Sequence, residues 1–352
     1  PSDRIDTERS GSTSSSIGPS RCSFQCTTIQ PSPLTTERRQ RRPPRLAARS
    51  YPAGRLLNVV SPLDLLLRPG KLVGPAAHAD RITHVEHRDA RPGLASPWPT
   101  WIDANLRSAL EAGGITTPWT HQTTAAELAW SGQSVVVSSG TASGKSLCYL
   151  LPALTAAASG TGTTFYLAPT KALAADQLRS IGELGLENVR AATYDGDTPM
   201  EERDWARRHA DVVLTNPDML HHGLLPSHAR WASTMRKLRF VVVDECHHYR
   251  GVFGSHVAQV LRRLRRVARH YGAEPVFILA SATVSDPGST ALRLIGAPAI
   301  EVIEDGSPRG ALDVALWEPP LTELNVENGA PVRRAATAEA ATMLADLVAE
   351  GV

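Results

Sequence analysis

Four residues of this sequence could act together on a polyphosphate if the fold brings them to one place: Lys145, Ser146, Asp244 and Glu245. The first two close the run Gly140-Thr141-Ala142-Ser143-Gly144-Lys145-Ser146, which follows an apolar stretch and opens a helical one. Small residues at such a junction let successive backbone N–H groups curl around a phosphate, and the helix aims its positive end at the same anion. Lys145 would supply a full positive charge to the β- and γ-phosphates, and the Ser146 hydroxyl could ligate Mg²⁺. The strict form of this loop has Gly or Ala five residues before Gly144, where this chain has Ser139. Ser is small enough to keep the turn.

The second pair ends the run Phe240-Val241-Val242-Val243-Asp244-Glu245-Cys246-His247. Four apolar residues there predict a strand that delivers two carboxylates to the C-terminal edge of a sheet, where open α/β folds bind ligands. Asp244 could hold Mg²⁺ opposite Ser146, and Glu245 could activate the attacking water. An acidic pair after a strand is often only a helix cap; together with the phosphate loop it points to nucleotide hydrolysis, which calls for ATP and Mg²⁺. Ser281-Ala282-Thr283 follows the next apolar run. Taken alone it reads as a turn or cap; in this position the hydroxyls of Ser281 and Thr283 could bond the acidic motif and sense the nucleotide.

The elements that must position these residues are legible as an alternation. Strands are expected at 134–138, 164–168, 190–193, 212–215, 240–244 and 276–280, and helices near 121–130, 145–157, 171–183, 200–209 and 255–270. Alternating strands and helices predict an α/β fold: a mostly parallel sheet with helices on both faces. The uniformly apolar runs Val135-Val136-Val137 and Phe240–Val243 suit strands covered on both sides. The helix at 255–270 carries a buried stripe with Arg262, Arg263, Arg265, Arg266 and Arg269 off it, which reads as a solvated face sooner than as a nucleic-acid patch.

Composition bounds the rest. The chain has 352 residues, of which 42% are hydrophobic and 20% charged, enough for a substantial core. The net charge of +2 conceals an uneven spread, because residues 1–58 hold ten Arg against four acids. The remainder therefore has no basic signature, and any case for nucleic acid must come from motifs. Residues 1–80 are expected to be a mostly disordered extension rich in Arg, Ser and Pro; Arg38–Arg42 reads as solvated, and Cys22 and Cys26 as incidental rather than metal-binding. Pro92, Pro97 and Pro99 punctuate a lead-in that Trp98 and Trp101 should anchor. No apolar run is long enough to cross a membrane, and four scattered cysteines fit a reducing cytoplasm.

The phosphate loop, Asp-Glu-x-His and Ser-Ala-Thr, in this order, resemble superfamily 2 helicases of the DEAD/DEAH type, with their P-loop NTPase, RecA-like lobes. The resemblance implies further roles. Gln122, beside His121, would read the adenine edge with Trp119 packed nearby, and Ala142 stands where such helicase loops commonly have glycine. Pro169, Thr170 and Lys171, then Gly196 and Asp197, then Thr215 and Asn216 would grip the phosphates of one strand. His247 and Thr283 would couple that grip to hydrolysis. The longer runs 140–149 and 244–257 resemble the DNA-repair branch that includes mitomycin repair factor A and RecQ-like relatives. This implies a DNA helicase acting on single-stranded or tailed DNA, with residues 81–311 as the ATP-binding lobe and 312–352 as a linker and truncated start of lobe 2. Members of the family complete the site with a second RecA-like lobe in cis, which the chain is expected to lack, so that alone it should hydrolyse ATP weakly. An RNA helicase lobe and a non-catalytic binding module are the other readings; a kinase or transporter ATPase would share the loop but not the Pro-Thr-Lys-Ala-Leu and Ser-Ala-Thr motifs.

Overall fold

The computed structural model describes residues 81–325 and 330–349. The basic run Arg38–Arg42, Cys22 and Cys26, and the extension expected over residues 1–80 lie outside the described residues.

A seven-stranded sheet carries the motifs. It comprises β2 (Val135–Ser138), β3 (Thr163–Leu167), β4 (Ala191–Thr193), β5 (Val212–Thr215), β6 (Leu238–Val243), β7 (Val276–Ser281) and β8 (Ile300–Val302), in the order β4-β5-β3-β6-β7-β2-β8 with every pair parallel. The major helices are α1 (Ala104–Ala112), α2 (Thr120–Trp130), α3 (Ser146–Ala158), α4 (Lys171–Glu183), α5 (Met200–His209), α6 (Gly251–His270), α7 (Pro287–Ile295) and α8 (Ala336–Ala349). The α/β layering expected from the sequence is the observed one.

Strand side chains alternate between the two faces, and this alternation divides the interior. Val136, Phe165, Val213, Val241, Val243, Phe277 and Leu279 pack on one face with α6, α7 and the fully buried Trp231. Their neighbours Val135, Val137, Tyr166, Leu214, Phe240, Val242 and Ile278 pack on the other, with α1 to α4. The two described cysteines are free, buried thiols, Cys148 in the second interior and Cys246 in the first. Burial pushes both up to about 12.

Register fixes the rim. Ser138 pairs with Ser281, Leu167 with Val243, and Leu167 with Thr215. Each motif therefore begins at the same level of the sheet, and Asp244 N–H closes that level by donating to Leu167 carbonyl at 2.9 Å.

Several elements carry too little apolar pattern to be anticipated. β1 (Ile82–Arg88) is largely exposed and pairs antiparallel with β9 (Leu312–Trp317), which opens the segment 312–352. β10 (Leu321–Asn325) and β11 (Pro331–Arg333) form a second two-stranded sheet. Trp101 stacks on Trp130 with centroids 4.4 Å apart, and Trp98 Nε1 donates to Thr116 carbonyl, so both tryptophans pin the lead-in as expected. The arginines of α6 are not simply solvated. Arg262 donates to Arg293 carbonyl, and Arg265 donates to the carbonyls of Ile295 and Gly296, closing the C-terminal end of α7, where cations are favoured. Among the described residues, no helix is long and apolar enough to cross a membrane.

Candidate nucleotide site and its rim

The phosphate loop runs from the end of β2 to the start of α3, and its own side chains shape it. Ser139 and Ser143 are both buried, with their hydroxyl oxygens 2.8 Å apart. Ser139 thus ties the base of the loop across to Ser143, something glycine at that place could not do. Ala142 has φ 60° and Gly144 φ 76°; these left-handed residues turn the chain so that backbone N–H groups face inward. A left-handed backbone costs a residue with a Cβ roughly 1–2 kcal/mol. Ala142→Gly should therefore stabilise the protein by about 0.5–1 kcal/mol once glycine's greater unfolded freedom is set against that cost, as read from the denaturation midpoint at unchanged slope. The Lys145 ammonium donates to the carbonyls of Gly140 at 2.7 Å and Ser139 at 3.1 Å.

Gln122 holds the loop from behind. Its Nε2 donates to Gly144 carbonyl at 2.9 Å, and its Oε1 accepts from Trp119 N–H at 2.8 Å. The side chain expected to read adenine is buried here and braces the loop against the first turn of α2. A Cβ on Gly144 would lie 2.5 Å from that amide nitrogen, so besides straining the left-handed φ it would push the Gln122 amide out of its brace. The Trp119 ring packs over Gly93. His121 is buried beside it; its Nδ1 accepts from Gly306 N–H at 3.2 Å. Burial holds His121 below the ordinary histidine range, against the pull of Asp305.

Across the rim, Asp244 Oδ1 accepts from Glu245 N–H at 2.9 Å, while Oδ2 accepts from the Tyr166 hydroxyl. The Tyr149 hydroxyl sits between the motifs, 3.2 Å from Asp244 Oδ2, 3.3 Å from Ser146 Oγ and 3.1 Å from Gln177 Oε1. One hydroxyl therefore touches both residues expected to hold Mg²⁺. Burial, followed by the Asp244 charge, pushes the Tyr149 phenol well above its usual range; burial does the same to Tyr166. Both therefore remain protonated donors. Neither tyrosine was among the expected site residues. Tyr149 lies one turn of α3 beyond Ser146, and that spacing is the only sign of it in the sequence.

Glu245 has φ 48° and ψ 42°, a left-handed conformation uncommon away from glycine. It starts a tight turn over Cys246–His248 that brings Glu245 Oε2 to 3.2 Å from His247 Nδ1. The same nitrogen accepts from Ala282 N–H at 3.3 Å. Burial lowers His247 below its ordinary range, partly offset by Glu245, and His248, Arg250 and Lys145 add to the lowering. The ring is therefore neutral at pH 7 and can accept from Ala282. Ser-Ala-Thr thus reaches His247 through the backbone of Ala282, and among the described residues neither of its hydroxyls bonds the carboxylates of Asp244 and Glu245. The Ser281 side chain is buried and faces the Cys246 thiol, and Thr283 is exposed. Ser138 Oγ ties the same turn down, donating to Ala282 carbonyl and accepting from Val284 N–H, each at 3.2 Å.

The residues expected to grip a strand lie at the rim of β3, β4 and β5. Thr170 and Lys171 are exposed, and Thr170 Oγ1 caps α4 through Leu173 N–H. Lys171 pairs with Asp197 beside exposed Gly196. Asn216 caps the next turn through Met219 N–H, and Pro169 is half-buried. Thr215 differs from expectation: it is 2% exposed and donates to Tyr194 carbonyl at 2.6 Å. Its hydroxyl holds the start of the loop after β4 in place.

Comparison with known proteins places this rim in context. The profile of the DEAD/DEAH box helicase family matches residues 119–290. The chain is 43% identical over 260 residues to the uncharacterized ATP-dependent helicase YprA of Bacillus subtilis, covering 72% of this chain and 34% of that protein. It is 41% identical over 211 residues to the ATP-dependent helicase hrq1 of Schizosaccharomyces pombe, covering 58% and 20%. Among solved structures, the DUF1998 helicase MrfA bound to DNA and AMPPNP matches with a TM-score of 0.69 and 40% identity, over 76% of this chain and 37% of that one. The chain thus spans between 20% and 37% of the length of these relatives.

Proposed function

Because this chain belongs to the DEAD/DEAH box helicases and has their RecA-like fold, we propose that it is the ATP-binding lobe of a DNA helicase, converting ATP hydrolysis into movement along a strand. The observation that carries this reading is the shared hydroxyl: Tyr149 reaches Ser146 and Asp244 from a point beside the phosphate loop. A hydroxyl and a carboxylate form an all-oxygen donor set of the kind a hard cation takes, so Ser146 and Asp244 would hold Mg²⁺. Bound there, Mg²⁺ supplies charge neutralisation on the phosphate oxygens.

The remaining roles belong to the chain's own groups. The loop N–H groups of residues 140–144 and the Lys145 ammonium bind the β- and γ-phosphates. Glu245 takes the proton of the attacking water. His247, between Glu245 and Ala282 N–H, passes any shift of that carboxylate to the Ser-Ala-Thr turn. Gln122 positions the loop, and through it the nucleotide. At the other half of the rim, Thr170, Lys171, Gly196, Asp197 and Asn216 grip a strand backbone, which gives affinity without sequence readout. An incoming phosphate would displace Asp197 from Lys171.

Tyr166→Phe and Tyr149→Phe test the cation site. A hydrogen bond to a charged group contributes about 1.5–3 kcal/mol. Either change should therefore weaken Mg²⁺-dependent nucleotide binding at least about tenfold, leaving Mg²⁺-free binding unaltered in a fluorescent-nucleotide titration.

Residues 81–311 would form this lobe, and 312–352 would lead towards a second RecA-like lobe in cis. A cytoplasmic setting suits the free thiols of Cys148 and Cys246. DNA is preferred because relatives of the MrfA type are seen bound to it. The deciding measurement is ATPase activity of the full-length protein with single-stranded DNA, with tailed duplex, with RNA and with none. Stimulation by DNA alone is the expected result; stimulation by RNA alone would make it an RNA helicase lobe, and no hydrolysis under any condition would leave a binding module.

A further inference from the structure

The turn after β6 gathers more ligand chemistry than phosphate hydrolysis uses. The left-handed backbone at Glu245 folds its carboxylate back over the next three residues. Glu245 Oε2 lies 3.2 Å from His247 Nδ1, and the rings of His247 and His248 stand 4.4 Å apart at 35°. One carboxylate oxygen and one nitrogen from each histidine all lie within 4.8 Å of one another. His248 is exposed, and among the described residues its ring makes no hydrogen bond.

We propose that Glu245, His247 and His248 form a binding site for a divalent transition-metal ion of the Zn²⁺ type, and that its occupancy stops ATP turnover. Two imidazoles and one carboxylate are a common zinc donor set that leaves a position open to water. Tetrahedral bonds of about 2.0–2.1 Å put ligand atoms about 3.3 Å apart. The Glu245–His247 pair already meets that spacing, and the exposed His248 ring has room to close the remainder. Imidazole suits zinc, whereas Mg²⁺ keeps to oxygen, so this site and the Ser146–Asp244 pair sort the two ions by donor type. A metal on His247 Nδ1 would displace the Ala282 N–H that this nitrogen now accepts from. A cation here occupies the Glu245 oxygen that would otherwise take a proton from water. Binding stands on the geometry alone; the inhibitory half rests on the reading of Glu245 as the water-activating group.

The test uses the full-length protein and its His248→Ala variant, which removes one ligand and no part of the hydrolytic machinery. Titration with Zn²⁺ should show one more bound ion in the wild type than in the variant. Co²⁺ at that extra site should absorb without the charge-transfer band of a thiolate, which separates it from any cysteine site. Zn²⁺ added at saturating Mg²⁺ and ATP should suppress wild-type hydrolysis about tenfold or more, the variant should keep its rate, and a chelator should restore the wild type. Loss of a ligand should weaken binding by at least the roughly 10–100-fold typical of weaker perturbations of metal sites. Equal Zn²⁺ binding by both proteins overturns the site. Extra binding without inhibition overturns the role given to Glu245. If the wild type hydrolyses no ATP at all, the helicase reading fails separately, and the difference in binding alone decides the site.

Discussion

Lys145→Ala should abolish ATP-dependent unwinding by the full-length protein while leaving its fold intact. The lysine is only half-buried, and its two bonds go to loop carbonyls that water can reach in its place. The loop is shaped elsewhere, by the Ser139–Ser143 contact and the Gln122 brace. Surface changes of this kind usually stay within about 0.5 kcal/mol in stability. The chemistry suffers far more, because the ammonium is the loop's only full positive charge facing the phosphates. Removing one preorganised electrostatic group from a phosphoryl or oxyanion site costs about 10²–10³ in rate. Strand separation and thermal melting, measured side by side, decide the matter; wild-type unwinding by the variant would refute the assignment.

Glu245→Gln should separate binding from hydrolysis. Glutamine keeps the size of the side chain and can still reach His247, but it cannot accept a proton from water. A positioned general base contributes about 10²–10⁴-fold, and the single-turnover rate should fall by that amount. Affinity for nucleotide and for DNA should hold within about twofold, since Lys145, Ser146 and Asp244 are untouched and a loss of base function acts on the transition state alone. A variant that loses nucleotide affinity in step with its rate would show that Glu245 serves the ground state instead.

The parts of this arrangement that sequence reveals are those driven by burial on both faces of a strand. Val135–Val137 and Phe240–Val243 cannot be amphipathic, so their ends locate the rim, and the residues that follow are automatically candidates for chemistry. What happens within the rim is less visible. Tyr149 and Tyr166 look like ordinary core aromatics until their hydroxyls are seen on Asp244. Thr215 has the polarity of a contact residue, but the parallel register with β3 buries it. Gln122 stands at the start of a helix, and only packing shows that its amide is aimed at Gly144. The arginines of α6 have the pattern of a solvated face, and it takes the position of α7 to turn two of them into caps. β1 and β9 are exposed and polar enough that pairing, a long-range event, is their only signature.

The placement of the two thiols among the described residues has a practical corollary. Cys148 and Cys246 sit in opposite interiors, shut from solvent, and are protonated at neutral pH. With Cys22 and Cys26 changed to serine, maleimide dyes should attach to engineered surface cysteines and spare the native pair. Donor and acceptor fluorophores placed on α4 and α7 could then follow the motion of this lobe during turnover without rebuilding either interior.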